Sequence, residues 1–165
     1  MTAILILGVD PGLNRCGWGL VASEGSRLSH VAHGVITPSA SQQLASRLHD
    51  VFEGLIGVIE KYEPHEAAVE ETFVNSNARA ALVLGQARGV ALAAAARRGL
   101  RVAEYAPATI KKSIVGSGAA DKTQIAFMVK RLLPTAGEMT ADSADALGVA
   151  LCHAAHGGFQ RKVGG

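Results

Sequence analysis

Residues 3–12, AILILGVDPG, are a continuous apolar run that stops at Asp10 and is followed at once by Pro-Gly. An apolar run of this length without alternation predicts a strand buried on both faces, and Pro-Gly predicts a turn directly after it. Asp10 therefore follows a buried strand at its carboxyl end, where α/β proteins commonly bind ligands. Taken alone, however, this aspartate is explained better as an ordinary turn residue.

Outward from this strand, the chain alternates between strand and helix patterns. Gly17 to Ala22 and Leu28 to Ile36 predict two further strands, and the first three strands then form an antiparallel meander. Apolar residues at three- and four-residue steps from Leu44 to Tyr62 predict an amphipathic helix with Ser39 or Ser41 as its N-cap. Two more strands are predicted at 67–69 and 101–105, and four more helices at 78–98, 108–115, 121–133 and 141–156.

The predicted element order is β-β-β-α-β-α-β-α, which is similar to the order of ribonuclease H-like proteins. It indicates an α/β fold with a five-stranded mixed sheet flanked by helices on both faces. We expect residues 1–156 to form a single domain and residues 157–165 to form a flexible basic tail. This likeness concerns the fold alone and does not assign an activity.

Charge is distributed unevenly along the chain. Its 165 residues have a net charge of only +2, but residues 1–70 carry 4 Lys or Arg against 8 Asp or Glu. Residues 71–165 carry 12 Lys or Arg against 6 Asp or Glu. A basic half beside scattered acids fits a protein that binds a phosphate chain around an acidic centre, although ordinary solvated charge explains most of these residues as well.

The two cysteines, Cys16 and Cys152, give no disulfide framework, and they favour a reducing, cytoplasmic location. Cys152 stands near His153 and His156 at the end of the last predicted helix. These three residues lack the paired spacing of zinc ligands, so a packed helix end is the better interpretation.

The apolar segments of the chain predict neither a secretion signal nor contact with a membrane. Met1 to Val9 has no basic residue before its apolar run, so it does not fit a signal peptide. The stretch from Ala80 to Ala96 contains Gln86 and Arg88, and for that reason it does not fit a membrane span.

Three further acids stand where the predicted fold brings them toward Asp10. Glu70 follows the strand at 67–69, and Asp142 and Asp145 share one face of the last helix because they are three residues apart. Taken alone, Glu70 is explained as a solvated strand end, and the helical pair as a cap and a first-turn acid.

Together these four carboxylates favour a metal site. Two unit charges 4 Å apart repel by about 4 kcal/mol at an effective dielectric of 20, so such a cluster must take up protons or bind cations. Oxygen ligands without clustered thiols or imidazoles favour Mg²⁺ or Mn²⁺. Two such ions about 4 Å apart activate a water and stabilise the leaving oxygen in phosphodiester hydrolysis.

Four segments in series resemble the bacterial RuvC family of crossover-junction endonucleases. A lone Gly-x-Asp-x-Gly, as in Gly8 to Gly12, also occurs in sugar kinases and actin-like ATPases, but the four segments together are specific. They follow in order over nearly the whole chain. The segments are Leu7 to Gly12, Ala68 to Phe73, Leu84 to Ala91 and Asp142 to Leu147.

The resemblance implies a function and a partner set. It implies that Asp10, Glu70, Asp142 and Asp145 are the catalytic, metal-binding set, with Mg²⁺ as the cofactor, Mn²⁺ as a substitute, and two ions per site when DNA is bound. It implies a homodimer that nicks two opposed strands of a Holliday junction in DNA recombination and repair, leaving 5′-phosphate and 3′-hydroxyl ends. It also implies coupling to a RuvA–RuvB branch-migration complex.

The resemblance further implies contacts with DNA. Phe73 falls at the family position that stacks on bases near the junction point, a contact worth about 1–3 kcal/mol per base, although core packing is the usual role of Phe. Lys111 and Lys122 match positions near the scissile phosphate. Lys122 begins a helix, where the dipole disfavours a cation unless a phosphate is close. Further candidate contacts are Asn75, Asn77, Arg79 and Lys112.

The role of two glycines stays open at this stage. Gly85 and Gly89 lie four apart on the helix at 78–98 and permit close helix contact, either at a dimer seam or against the chain's own sheet.

Two other functions explain the sequence less well. An actin-like phosphotransferase needs two lobes, for which 165 residues leave no room. A non-catalytic DNA-binding module explains the basic half but not the four spaced carboxylates.

Overall fold

The computed structural model describes residues 2–71, 77–116, 118 and 121–159, with the backbone alone at Lys122. It contains a five-stranded mixed sheet of strand order β3-β2-β1-β4-β5, as the element order predicts. The strands are β1 (Ile4–Asp10), β2 (Cys16–Glu24), β3 (Arg27–Ile36), β4 (Glu66–Glu70) and β5 (Arg101–Tyr105). The helices are α1 (Leu44–Tyr62), α2 (Ala78–Arg97), α3 (Pro107–Val115), α4 (Lys122–Leu132) and α5 (Ala141–Ala155), with a 3₁₀ turn at Pro134–Ala136.

The strand pairing sets which ends of the strands meet. β1 pairs antiparallel with β2, and β2 with β3, so the predicted meander is confirmed. β4 pairs parallel with β1, with Val9 opposite Val69, and β5 pairs parallel with β4, with Glu70 opposite Tyr105. Asp10 and Glu70 therefore end neighbouring parallel strands at the same edge of the sheet.

Helices cover both faces of the sheet, as predicted. On one face α1 and α2 bury an apolar layer against β1 and β4. On the other face α4 and α5 pack against β1 and β2, while α3 packs with α5 against Ala68 of β4. None of the helices in the described ranges combines the length and the apolar character needed to cross a membrane.

The helix boundaries confirm most predictions and correct one. The predicted N-cap of α1 at Ser39 or Ser41 is wrong, because these two hydroxyls hydrogen-bond each other at 2.8 Å. The helix begins later, after Gln43, which makes no side-chain cap bond. α2 ends as predicted before Gly99, whose φ of +78° is the left-handed conformation that glycine adopts without strain.

The last helix, α5, is buried almost all round, as its apolar sequence predicts. Its N-cap is Thr140, whose hydroxyl accepts a hydrogen bond from the Ser143 N–H at 3.2 Å. The helix lies directly on the sheet because glycines face it. A Cβ on Gly8 would stand 2.1 Å from the Ala146 carbonyl oxygen, and a Cβ on Gly17 would stand 2.1 Å from that of Asp142.

The chain beyond α5 turns back onto the domain. The N–H of Phe159 donates to the Glu66 carboxylate at 3.4 Å, and the Arg101 guanidinium lies 4.2 Å above the Phe159 ring. Residues 160–165 lie outside the described residues. The flexible basic tail therefore stays a prediction for that part of the chain.

Candidate active site

Three elements bring the four predicted carboxylates to one edge of the sheet. Asp10 ends β1 and Glu70 ends the adjacent parallel strand β4. Asp142 and Asp145 lie in the first two turns of α5, which reaches the same edge because Gly17 of β2 lets the Asp142 backbone approach closely. The arrangement follows from the parallel β1–β4 pairing together with the glycine contacts beneath α5.

The electrostatics of Asp10 show that the four acids interact. The pKa of Asp10 is raised to about 9 by burial, by the negative charge of Glu70, by a hydrogen bond with Glu70 and by the charges of Asp145 and Asp142. Burial is the largest of these causes. At neutral pH and without a cation, Asp10 therefore keeps its proton in the hydrogen bond with Glu70.

The donor set of this cluster fits a hard divalent cation. All four side chains offer carboxylate oxygens, the ligands that Mg²⁺ and Mn²⁺ prefer. Within the described part of the chain, no three His, Cys, Asp or Glu side chains are already arranged around a single metal position. A proton held between Asp10 and Glu70 has the same electrostatic role as a cation, so cation binding would displace it.

The nearby thiol does not belong to the donor set. The pKa of Cys16 is raised to about 12, mainly by burial. A backbone hydrogen bond at Gly12 lowers the pKa and the charges of Asp10 and Asp142 raise it, and both effects are included in that value. Cys16 is therefore a protonated, buried thiol at neutral pH, whereas metals bind the thiolate.

A small cavity opens beside the carboxylates. It has a volume of about 130 Å³ and is lined by Glu70 and Asp145 on one side and by Lys111 on the other, with Pro107, Ile110 and Ile125 completing its wall. Lys111, which is half-buried, thus lines the same cavity as two of the predicted catalytic acids. A lysine in a cavity shared with carboxylates fits a site that receives a phosphate group.

The other predicted DNA contacts have different outcomes. Phe73 and Asn75 lie outside the described residues, as does the side chain of Lys122. Lys112 and Arg79 are exposed. Asn77 is the N-cap of α2: its side-chain oxygen accepts hydrogen bonds from the N–H groups of Arg79 and Ala80, both at 3.1 Å. A role in capping was readable from an Asn directly before a helical pattern.

Arg15, which the sequence did not single out, lies near the site. Its guanidinium Nη1 stands 3.9 Å from Asp142 Oδ2, and 70% of its side chain is exposed. An exposed ion pair of this length adds little stability, so Arg15 chiefly adds positive potential beside the acids.

A buried polar chain lies deeper in the domain, between β4, β5 and α5. His153 Nε2 lies 2.6 Å from Glu66 Oε2, and the Tyr105 hydroxyl lies 2.7 Å from His153 Nδ1. The pKa of Tyr105 is raised to about 12 by burial and by the neighbouring Cys152 and Glu66, so the phenol stays protonated. It donates to Nδ1 when the imidazole carries its proton on Nε2, facing Glu66. His153 thus belongs to a packed helix end, as predicted for this cluster.

Comparisons with known proteins identify the family of the chain. The family model described as "Crossover junction endodeoxyribonuclease RuvC" matches residues 6–153. A Caulobacter vibrioides protein of that name is 61% identical over 149 residues, covering 90% of this chain and 88% of the relative. A Hyphomonas neptunium protein of the same name is 55% identical over 163 residues, covering 99% and 98%.

Solved structures give the same picture. The Thermus thermophilus RuvC structure in complex with a Holliday junction substrate superposes with a TM-score of 0.86 at 30% identity, covering 93% of this chain and 94% of that one. The yeast mitochondrial Holliday junction resolvase Ydc2 superposes with a TM-score of 0.61 at 16% identity, a likeness that concerns the fold alone.

Proposed function

The chain belongs to the RuvC family of crossover junction endodeoxyribonucleases, and from that premise we propose that its four clustered carboxylates carry the nuclease activity. The function is that of a metal-dependent Holliday junction resolvase, with a ribonuclease H-like fold. The observation that supports this assignment best is the raised pKa of Asp10, since Glu70, Asp142 and Asp145 all contribute to it.

The proposed reaction is hydrolysis of one phosphodiester in each of two opposed strands. Asp10, Glu70, Asp142 and Asp145 would hold Mg²⁺, with Mn²⁺ as a substitute and two ions when DNA is bound. Bound there, divalent cations supply Lewis-acid activation of the attacking water and stabilise the charge on the leaving oxygen. The water oxygen bonds to phosphorus, the bond from phosphorus to the 3′ oxygen breaks, and that oxygen takes up a proton. The products carry 5′-phosphate and 3′-hydroxyl ends.

Residues of the chain position the substrate. Lys111, in the cavity with Glu70 and Asp145, is placed to bind a non-bridging oxygen of the scissile phosphate. We assign Lys122 the same role and Phe73 the role of stacking on a base near the junction point. The remaining proposed contacts to the DNA backbone are Asn75, Asn77, Arg79 and Lys112.

Paired cutting requires two active sites related by a two-fold axis, which a homodimer supplies. We propose that the outer face of α2, made of Leu82, Gly85, Gly89 and Ala93, forms the seam. All four residues are exposed, Leu82 to 63%, whereas Ala87 and Ala91 on the inner face are buried against the chain's own core. No atom lies within 4 Å of a Cβ built on Gly85 or Gly89, so a second helix has room to approach.

The cellular setting follows from the family. Coupling to a RuvA–RuvB branch-migration complex would supply and position the junction. An enzyme that acts on chromosomal DNA of bacteria is expected in the cytoplasm.

The decisive experiment is cleavage of a synthetic four-way junction with Mg²⁺. Asp10→Asn and Asp145→Asn should lower the rate by about a thousandfold or more, because each removes a charged ligand from the metal centre. Both variants should still bind the junction, since basic residues supply most of the affinity. Glu24→Gln, which removes an exposed acid at the opposite end of β2, is the matched control. Parental cleavage by both aspartate variants would refute the assigned site.

A further inference from the structure

A second cavity opens beside the loop that follows Asp10. It has a volume of about 460 Å³ and lies between that loop, the first turn of α1 and the first turns of α2. Its polar wall is formed by Asn14, Arg47, Asn77 and Arg79. These residues come from three separate elements, so only the folded chain brings them together.

Of the two arginines in the cavity wall, Arg47 is held more firmly than Arg79. Its Nη2 donates to Asn14 Oδ1 at 2.6 Å and to the Leu13 carbonyl oxygen at 3.4 Å. Its Nε is buried and has no hydrogen-bond partner among the described residues. The side chain is thus fixed by neutral groups, and part of its donor capacity is unused at a desolvated position.

The charge of this cavity is not compensated by the protein. In the described part of the chain neither Arg47 nor Arg79 forms an ion pair with a carboxylate, whereas Arg15, Arg88 and Arg98 each do. The described lining residues include no acid. The 20-residue helix α2 also begins here and adds the positive end of its dipole. An anion would therefore be stabilised in this cavity.

The rest of the cavity wall is apolar, and this favours one class of anion over another. Leu13, Val83 and Leu84 line the cavity beside the arginines. A free inorganic anion gains nothing from apolar walls, whereas a sugar–phosphate backbone presents a charged phosphate and an apolar sugar face together. The chemistry of the cavity therefore matches a phosphodiester of DNA.

We propose that this cavity binds a phosphodiester of the junction DNA close to the one that is cut, with Arg47 and Arg79 as its ligands; the inference rests on the proposed nuclease function. Leu13 follows Asp10 by three residues, so their Cα atoms lie within about 11 Å at 3.8 Å per residue. One wall of the cavity therefore lies close to the carboxylate edge, and we expect the bound phosphate to lie within a few nucleotides of the scissile one.

The first test measures junction affinity against salt concentration in EDTA, where no cutting occurs. Arg79→Gln and Arg47→Gln should each lower affinity by about tenfold, and each should reduce the slope of log affinity against log salt by about 0.9, the value for one lost phosphate contact. Arg27→Gln is the matched control, because Arg27 is exposed at the opposite end of the sheet and its loss changes the net charge equally.

The second test locates the phosphate. Neutral methylphosphonates are placed singly at the three nucleotides on either side of the cut. Parental protein should lose about tenfold in affinity at one of these positions, and Arg79→Gln should lose nothing further there, because the same contact is already absent. Arg47 also holds the loop at Asn14, so Arg47→Gln could lower affinity by disturbing that loop. The Arg47→Gln result therefore counts only if the Tm of this variant is close to the parental value, and otherwise the test rests on Arg79→Gln.

The outcomes separate the two proposals. Suppose that the parent binds and cuts junctions, that Arg79→Gln shows the same slope of log affinity against log salt as Arg27→Gln, and that the methylphosphonate still lowers the affinity of Arg79→Gln. The cavity assignment is then wrong and the nuclease assignment stands. If the parent neither binds nor cuts a junction, both are overturned.

Discussion

At the scale of single residues, the functional assignment depends mainly on Asp10. The strand-end rule predicts Asp10 and Glu70 at one edge of the sheet, and the β1–β4 pairing confirms that placement. The sequence could not show that burial would be the largest cause of the raised pKa of Asp10. Burial depends on how closely α5 packs on the sheet, and local sequence carries little information about that distance.

The contacts that sequence reasoning missed join residues far apart in the chain. His153 lies against Glu66 at a separation of 87 positions, and Arg47 donates to Asn14 at a separation of 33. Periodicity and capping rules work over a few residues, so they do not identify partners at such separations.

The raised pKa of Asp10 has a consequence for stability. Its folded-state pKa of about 9 exceeds the unfolded value of 3.8. The protonated carboxyl therefore contributes stability that is fully present below about pH 4 and is lost as the pH rises through 9. In EDTA at pH 8, Asp10→Asn should be more stable than the parent by about 2 kcal/mol, or about 4 to 8 °C in Tm. Asparagine is neutral in both states, whereas the parental carboxyl is ionised in the unfolded chain and must take up a proton on folding.

Thermal unfolding in EDTA at pH 5 and pH 8 checks this expectation. The parental Tm should fall between the two values by more than that of Asp10→Asn, and Glu24→Gln should follow the parent. An identical pH dependence in parent and Asp10→Asn would contradict the electrostatic description of the site.

At the scale of elements, the sequence pattern predicted the five strands and five α-helices of the described residues, although not the 3₁₀ turn at Pro134–Ala136. The strands are short apolar runs, α1 has a clear apolar face, and α5 is apolar all round. Capping was predicted less well. Ser39 and Ser41 resemble helix caps, yet they bond each other and α1 begins after Gln43. Asp121 does cap α4, accepting from the Gln124 N–H at 2.9 Å. Several polar residues before a helix compete for the cap, and only the backbone conformation decides among them.

The contact between β2 and α5 gives an element-scale test. Gly17→Ala would place a Cβ 2.1 Å from the Asp142 carbonyl oxygen, so the start of α5 must move. We expect a loss of about 1–3 kcal/mol in the free energy of unfolding. We also expect a clear loss of Mg²⁺-dependent cleavage, because Asp142 and Asp145 move with the helix.

Gly57→Ala is the control for this substitution. Gly57 lies exposed in α1 with nothing within 4 Å of a built Cβ, so alanine there should stabilise the protein by up to about 1 kcal/mol. Chemical denaturation and junction cleavage measure both variants. Parental stability and activity in Gly17→Ala would show that α5 is not held at this contact.

At the scale of the whole molecule, the two helical layers contribute different parts of the proposed function. The layer of α3, α4 and α5 provides two of the four acids and Lys111 of the cavity beside them. The layer of α1 and α2 provides the proposed phosphate cavity and the proposed dimer seam. The sequence left open whether Gly85 and Gly89 face the sheet or a partner. The structure shows that they face away from the chain's own core, because the alanines of α2 occupy the inner face.

The dimer proposal is tested by charge on that outer face. Gly89→Arg should give a monomer by sedimentation velocity at micromolar concentration, because a large cation at a close helix contact prevents approach. Paired nicking should fall much more than single nicking. Gly57→Arg, which adds the same side chain to the exposed face of α1, should remain dimeric. A parent that sediments only as a monomer at this concentration would contradict the proposed seam.

The most direct measurement of the central claim is anomalous diffraction from crystals soaked in Mn²⁺. We expect a peak in contact with carboxylate oxygens of Asp10 and Glu70 and of at least one acid of α5, and no peak there in Asp10→Asn crystals. If Mn²⁺ binds only at a position remote from Asp10, or leaves this edge of the sheet empty, the four acids do not form a metal centre.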